Sequence, residues 1–233
     1  MTHRNVSRET EKNWQAMPLD RLLIKAAQKL GLKLDHAQVS MLLTYLSELI
    51  LWNKKINLIG PSTPADTVVR HLADSLAPLP FLPQGPLRVL DLGSGAGLPG
   101  LVLKTVRPSW TVTLCESNQK KAAFLKAMVK RLTLNNVQVL PVRIGQAPES
   151  LPLEAYDLIT ARALSPLNEL LSLARPFLGS RGTILAYKGP RAEKELKEAE
   201  QVLTALGLTL ARQERFRLPF LGHCRILLFF KGI

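Results

Sequence analysis

Residues 89–100 read Val-Leu-Asp-Leu-Gly-Ser-Gly-Ala-Gly-Leu-Pro-Gly, an apolar run that meets an acid and then a glycine-dense turn. Val89, Leu90 and Leu92 predict a central strand of a parallel sheet, because strands covered on both faces are apolar nearly throughout. Gly93, Gly95, Gly97 and Gly100 allow the backbone to reverse sharply and to approach a ligand closely. A helix is predicted from Leu98, with Pro99 in its first turn, where the missing N–H is no loss. Strand, glycine turn and helix in this order constrain the chain to an α/β architecture that binds a cofactor at the turn.

The rest of the chain agrees with that architecture. Strands are predicted at 87–92, 111–116, 137–142, 156–161 and 182–188, alternating with helices at 98–106, 119–132, 167–178 and 192–206. Each helix is long enough for a right-handed crossover between parallel strands. Two further strands, 208–216 and 224–230, are separated by a short loop and predict an antiparallel pair at one end. The expected fold is a mostly parallel seven-stranded sheet with helices on both faces. Before it, apolar residues at helical spacing predict a hairpin of helices 19–30 and 35–52, with Gly31 between them and Asp35 as the cap of the second. Residues 1–18 form a polar tail without a core face, residues 19–86 a helical extension and a proline-punctuated connection, and residues 87–233 the main domain.

A chain of 233 residues buries a full core. Its 31 basic against 18 acidic residues give a net charge of +13, which favours a polyanionic partner such as nucleic acid or an anionic membrane surface. No apolar run approaches the roughly 20 residues needed to span a bilayer, and the polar start lacks a signal peptide, so a cytoplasmic protein is expected. Cys115 and Cys224, both in apolar strand-like runs, read as buried and inert thiols; a disulfide framework and a cysteine-rich metal site are excluded. His3, His36 and His223 have no metal-ligand spacing, and no metal is expected.

In a doubly wound sheet the ligand lies outside the carboxyl ends of the strands. Glu116, at the end of the second strand, is placed to accept hydrogen bonds from both hydroxyls of a ribose, which suits any adenosine cofactor. Gly95-Ala96-Gly97-Leu98-Pro99-Gly100 fits G-x-G-x-x-G with Glu116 at the dinucleotide spacing, so an NAD-binding oxidoreductase is one reading. It leaves Asp91 unexplained, because a carboxylate in a buried strand needs donors to offset its desolvation. Read from Asp91, the pattern Asp91-x-Gly93-x-Gly95-x-Gly97 puts an acid where it orients the loop or the amino acid part of a cofactor. That pattern resembles the first motif of Rossmann-like S-adenosylmethionine-dependent methyltransferases.

The segment after the fourth strand narrows the acceptor. Methylation at carbon 5 of a pyrimidine generally requires an attacking cysteine, and neither cysteine lies in a suitable loop. Methylation of exocyclic amines usually goes with an acid or Asn followed by two prolines and an aromatic. Here the chain reads Thr160-Ala161-Arg162-Ala163-Leu164-Ser165-Pro166. Guanine N7 fits this absence, since its in-plane lone pair carries no proton and no general base is required. Arg162 then orients guanine or phosphate, and catalysis is alignment rather than acid–base work.

Between Ser117 and Pro148 there is no Asp or Glu, yet Lys120, Lys121, Lys126, Lys130, Arg131 and Arg143 all occur. Lys120 and Lys121 fall near the cofactor edge, and Lys126 and Lys130 are one helical turn apart, a spacing that tracks phosphates as well as it suits a plain solvated face. Arg212, Arg215, Arg217 and Arg225 add charge near the C-terminus. With 6% aromatic residues, structured RNA held through its phosphates is a better partner than a long stacked single strand. His71 is a candidate for the entrance of the crevice, although a lone histidine is more often structural.

Taken together, several segments resemble the RsmG family, the small-subunit ribosomal RNA guanine-N7 methyltransferases once called glucose-inhibited division protein B. They are Asn57-Leu58, Val69-Arg70-His71-Leu72-Ala73-Asp74-Ser75, the run from Asp91 to Gly100, Arg162-Ala163 and Tyr187-Lys188-Gly189. Gly-Leu-Pro-Gly and Arg-His-x-x-Asp-Ser are far more specific than a generic methyltransferase turn. The resemblance implies a class I methyltransferase fold and methyl transfer from S-adenosylmethionine to one guanine in the 530-loop of 16S ribosomal RNA. The partner is then that RNA or the small ribosomal subunit, with no membrane and a monomeric enzyme as the simplest state. It implies that Gly93 and Leu98 line the cofactor, that Ile144 and Gly145 flank its adenine, and that Arg162 closes the site. Arg143, Lys188, Arg70 and His71 would face RNA or shape the pocket. Family members often carry an acid near the adenine where this chain has Gly145-Gln146, so a main-chain N–H or the Gln146 amide stands in for it. A non-catalytic ribosome assembly factor that retains the fold is the third reading.

Overall fold

The computed structural model describes residues 13–146, 153 and 155–233. Its centre is a seven-stranded sheet in the order β3-β2-β1-β4-β5-β7-β6. The strands are β1 (Arg88–Leu92), β2 (Thr111–Cys115), β3 (Val137–Leu140), β4 (Tyr156–Arg162), β5 (Leu178–Lys188), β6 (Leu208–Arg217) and β7 (Cys224–Gly232). The first five are parallel, β7 runs antiparallel to β5, and β6 closes the edge antiparallel to β7. The expected C-terminal antiparallel pair is present, with the last strand inserted between β5 and β6.

Nine α-helices flank the sheet or precede it among the described residues: α1 (Leu19–Lys29), α2 (His36–Asn53), α3 (Pro64–Thr67), α4 (Asp74–Leu76), α5 (Gly100–Val106), α6 (Gln119–Arg131), α7 (Leu167–Ala174), α8 (Ala192–Glu198) and α9 (Glu200–Ala205), which follows directly on α8. The expected single helix at 192–206 is therefore two, meeting at the buried Ala199. Asp35 caps α2 through a reciprocal capping box with Gln38, as its position predicts. The helix after the glycine turn begins at Gly100 rather than Leu98, with Pro99 as its N-cap residue.

Alternation along the strands divides the core into two layers. Val89, Val112, Leu114, Leu158, Leu185 and Leu227 point to one face, against α5, α6 and the helices that precede the sheet. Leu90, Leu92, Ile159, Ile184, Ala186 and Leu228 point to the other, against α7, α8 and α9. The segment expected as a proline-rich connection contributes directly to the first layer. Its residues Val68, Leu72 and Leu76 are fully buried in the same cluster as the strands. The segment α3, a π-helical stretch Val68–Ala73 and α4 run on without a break.

Two expectations need correction. Trp14 belongs to the core and stacks on Phe220 with ring centroids 6.1 Å apart, so residues 13–18 do have a core face; the expected tail otherwise falls on residues 1–12, outside the described ones. Cys115 is buried and its thiol is pushed up to about 12, chiefly by burial, whereas Cys224 is partly exposed because it opens β7 at the rim of the sheet. Among the described residues no helix is long and apolar enough to cross a membrane, and no cluster of His, Cys, Asp or Glu is placed to hold a metal ion.

Gly100 is fixed by packing rather than by a positive φ. A Cβ on Gly100 would lie 2.5 Å from Leu114 Cδ2 and 2.6 Å from Asp91 Oδ2, both in the buried layer. Gly100→Ala is expected to destabilise the protein by about 1–3 kcal/mol through overpacking, measured by urea unfolding. An unchanged unfolding midpoint would contradict this packing.

Candidate active site

The strand order reverses between β1 and β4, and the crevice at that switch point is bordered by the glycine turn on one side and by the loop after Arg162 on the other. The turn is supported from below by Asp91. This carboxylate is 1% exposed; Oδ2 accepts from the Gly100 N–H (3.1 Å) and Oδ1 from Thr160 Oγ1 (2.8 Å). Asp91 thus holds the start of α5 and the neighbouring strand β4 rather than opening into the crevice. Burial pushes its carboxyl up to about 6, an effect that the bonds from Thr160 and Gly100 partly offset.

The turn itself is held from above. Gly93, Gly95 and Gly97 have φ of +65°, +56° and +83°, values that favour glycine. Ser94 N–H donates to Cys115 O (2.9 Å), Gly95 N–H to Glu116 Oε2 (2.8 Å), and Tyr45 Oη, from α2, to Ala96 O (2.6 Å). Glu116 also accepts from Asn118 N–H through Oε1 (2.7 Å). A carboxylate has about four lone-pair sites, so each oxygen retains one for a ribose hydroxyl. A Cβ at Gly95 would meet nothing closer than 3.8 Å, and the same holds at the exposed Gly145, so the backbone there is open to a ligand. These donors, acceptors and open glycines fit the adenosine of S-adenosylmethionine. Leu98, by contrast, is buried in the core under the turn, and Ile144 packs partly against the second apolar layer.

A cleft of about 690 Å³ adjoins the turn at the carboxyl ends of β4 and β5. Arg70, His71, Asp74, Arg162, Lys188 and Arg225 are among the residues that line it. Leu164 joins the two parts, because its Cδ1 lies 2.5 Å from where a Gly93 Cβ would be. The preceding residue, Ala163, has φ of +56°, a strained backbone at the point where β4 turns away from Arg162.

Arg162 is largely withdrawn from solvent, its side chain 15% exposed. Its Nη1 donates to Asp74 Oδ2 (3.0 Å) and its Nη2 to His71 Nδ1 (3.0 Å). The other oxygen of Asp74 accepts from Arg225 Nε (3.2 Å). His71 and Asp74 come from the π-helical stretch and the turn that follows it, so a local widening of the helix carries the residues that fix Arg162. Burial, together with the positive charges of Arg162, Arg70 and Arg225, lowers the His71 imidazole to about 4.

The remaining expected residues divide into two groups. Arg70 and Lys188 line the cleft, but Lys188 Nζ is engaged by Ser165 O (3.1 Å) and Glu195 Oε2 (2.7 Å) and clamps the loop after β4. Lys120, Lys121 and Arg143 do not line it; Lys120 and Lys121 open α6, whose first amides are capped by Asn118, and Arg143 is exposed beyond β3. Asp74, Arg225, Tyr45 and Glu195 were given no role by the sequence. For Asp74 a signal exists, since an acid three positions after His71 falls on the same helical face. Nothing in the sequence pairs Arg225 or Tyr45 with residues more than 50 positions away.

The model of the family rRNA small subunit methyltransferase G, GidB, matches residues 38–218. The chain belongs to this family. It is 38% identical over 206 residues to ribosomal RNA small subunit methyltransferase G of Desulfotalea psychrophila, covering 88% of this chain and 94% of that one. With the protein of the same name from Syntrophotalea carbinolica it shares 36% over 203 residues, or 87% and 93% of the two chains. Among solved structures, a SAM dependent methyltransferase from Aquifex aeolicus has a TM-score of 0.54 at 19% identity, covering 79% of this chain and 97% of that one. M. jannaschii TYW2, solved in complex with AdoMet, has a TM-score of 0.53 at 19% identity over 66% and 72% of the two chains. The fold is that of the Rossmann-like class I methyltransferases. The register that starts at Asp91 replaces the dinucleotide register from Gly95, and the oxidoreductase reading is set aside.

The lowered His71 has a consequence for stability. Between pH 4 and 6.5 the unfolded chain binds more protons at this residue than the folded one, so the His71 contribution is lost as the pH falls through that window. Asp91, raised in the folded state, acts in the opposite sense between about 3.8 and 6. In urea unfolding, the stability of the wild type relative to His71→Asn is expected to rise from pH 4 to 6.5, and the His71 ring to titrate by NMR near pH 4. A constant difference with a midpoint near 6.5 would contradict the buried setting.

Proposed function

We propose that this protein methylates N7 of a single guanine in the 530-loop of 16S ribosomal RNA, with S-adenosylmethionine as methyl donor. Family membership supplies the reaction class, and one observation carries the choice of atom. Among the described residues, each carboxylate and the imidazole that line the cleft beside the glycine turn already face a basic partner, which leaves no unpaired general base. Asp74 is paired with two arginines, Glu195 with Lys188, and Glu198 with Lys194. His71 is engaged through Nδ1, the nitrogen a neutral ring would use as a base if its proton is on the other. A nitrogen that must lose a proton on methylation needs such a base; N7 does not.

S-adenosylmethionine, when bound, supplies a methyl group activated by its sulfonium centre. Gly93, Gly95, Glu116 and Gly145 hold it in this reading, Glu116 through the ribose hydroxyls; Leu98 supports the turn from the core, Ile144 backs Gly145, and Asp91 holds the turn that carries them. Arg162 is the residue that faces both ligands. Fixed by Asp74 and His71, it orients the guanine or its phosphate so that the acceptor lone pair is aligned, which is where the rate acceleration arises. Arg70 and Lys188 shape the pocket, and Arg143, Lys120 and Lys121 lie on the surface that meets the phosphates of the RNA. The strongly basic composition supports that partner. The protein acts as a monomer in the cytoplasm.

Mass spectrometry of 16S ribosomal RNA from cells with and without this gene is expected to show one N7-methylguanosine that depends on it. An unchanged modification map would overturn the assignment. With isolated small subunits, Arg162→Ala is expected to lower single-turnover transfer by about 100-fold or more, an effect in the range of a lost orienting group. Transfer by the wild type also separates an enzyme from an assembly factor that keeps only the fold.

A further inference from the structure

The contact between Arg162 and His71 determines where the imidazole proton lies. A guanidinium has donors only, so at 3.0 Å from Arg162 Nη2 the His71 Nδ1 must be the acceptor. In the neutral ring the proton then sits on Nε2, which is the one polar atom the ring has left. The side chains that meet here, Arg162, Arg225 and His71 itself, are donors. Each oxygen of Asp74 accepts from one of the two arginines, and Tyr187 Oη donates to Ser75 O (3.0 Å). At this corner of the cleft the groups around Arg162 are therefore side-chain donors from His71, Arg162 and Arg225, and each Asp74 oxygen already accepts from an arginine.

We propose that His71 is a specificity residue that donates its Nε2–H to the O6 carbonyl of the target purine and so selects guanine over adenine. The inference rests on the guanine-N7 reading given above and extends it to a named side chain. Beside N7, guanine presents O6, an acceptor, whereas adenine presents an amino group, a donor. A fixed donor opposite that amine leaves both unpaired, and sites built on such polar groups discriminate strongly. The neutral state serves the same end. Alkylation at N7 leaves the purine positively charged, and a protonated imidazole beside it would oppose that charge. The lowered affinity of His71 for a proton keeps the ring uncharged at neutral pH. His71 holds no reacting atom, so its effect falls on recognition of the base.

The test uses the full-length protein and small subunits reconstituted with the target guanosine replaced either by inosine, which keeps O6, or by 2-aminopurine riboside, which lacks it. Wild type is expected to methylate inosine within a few-fold of guanosine and 2-aminopurine at least about tenfold less efficiently, the value of one well-placed hydrogen bond. His71→Asn, which can still accept from Arg162 but has no donor at the outer position, is expected to lose about tenfold on guanosine and inosine with little change on 2-aminopurine. His71→Gln, with an amide nitrogen near the Nε2 position, is expected to recover part of the preference. Nitrogen NMR of the wild type is expected to show a protonated Nε2 and a bare Nδ1. Equal rates on inosine and 2-aminopurine, an unchanged ratio in His71→Asn, or a proton on Nδ1 would overturn the role of His71 while transfer to guanosine persists. A wild type that transfers to no guanosine would overturn the functional reading, and this inference with it.

Discussion

A carboxylate buried where β1 ends holds the site together. Asp91 joins three parts of the chain that are distant in sequence: β1, which carries it, the first amide of α5, and Thr160 on β4. A buried charge without donors would cost several kcal/mol or be lost to protonation. Its two hydrogen bonds therefore tie the far end of the turn, at Gly100, back to β1 and hold β1 against β4. Gly100 has to be a glycine because the same carboxylate lies where its Cβ would be. The constraint is sequential: the acid fixes the helix start, the helix start fixes the length of the turn, and the turn presents Gly95 to Glu116.

The helices before the sheet take part in the same structure. Tyr45 donates from α2 to the turn at Ala96, and burial, chiefly, holds its phenol far above its ordinary range, so the proton it donates stays in place. Asp74, just beyond the π-helical stretch, ties that segment to β4 through Arg162 and to β7 through Arg225. Removing one member of such a buried ionic group typically costs about 3–5 kcal/mol, because the charges left behind are unpaired. The extension is thus a wall of the site, and its burial against Val89 and Leu158 in one apolar layer is the physical reason it stays in place.

The order of elements was legible because it rests on local rules. Apolar runs of strand length alternate with helix-length segments, and Asp35 marks a helix start by the chemistry of one side chain. Glu116 and the glycines were legible because their spacing follows from the geometry of a strand followed by a turn. The segment 64–76 was not, since its prolines signal a connection while Val68, Leu72 and Leu76 are buried by a tertiary contact that no local pattern encodes. Trp14 is a similar case: its partner Phe220 lies more than 200 residues along the chain. The pairings of Asp74 and Arg225 are hidden for the same reason, and Lys188 reads as a cation for RNA because no local pattern encodes its contact with Glu195.

These pairings set the charge inside the cleft apart from the overall net charge of +13. Unpaired arginines would attract any phosphate and would turn freely, since the side chain has much rotamer entropy to lose. Asp74 removes part of the charge and all of that freedom from Arg162, and His71 fixes the plane of its guanidinium from the other side. Among the described residues, the exposed lysines and arginines of α6 carry no such partners apart from Arg131, which meets Glu48 at 3.2 Å. The unpaired surface charges of α6 are therefore open to screening by salt, while the paired, partly buried charges inside the cleft are screened much less.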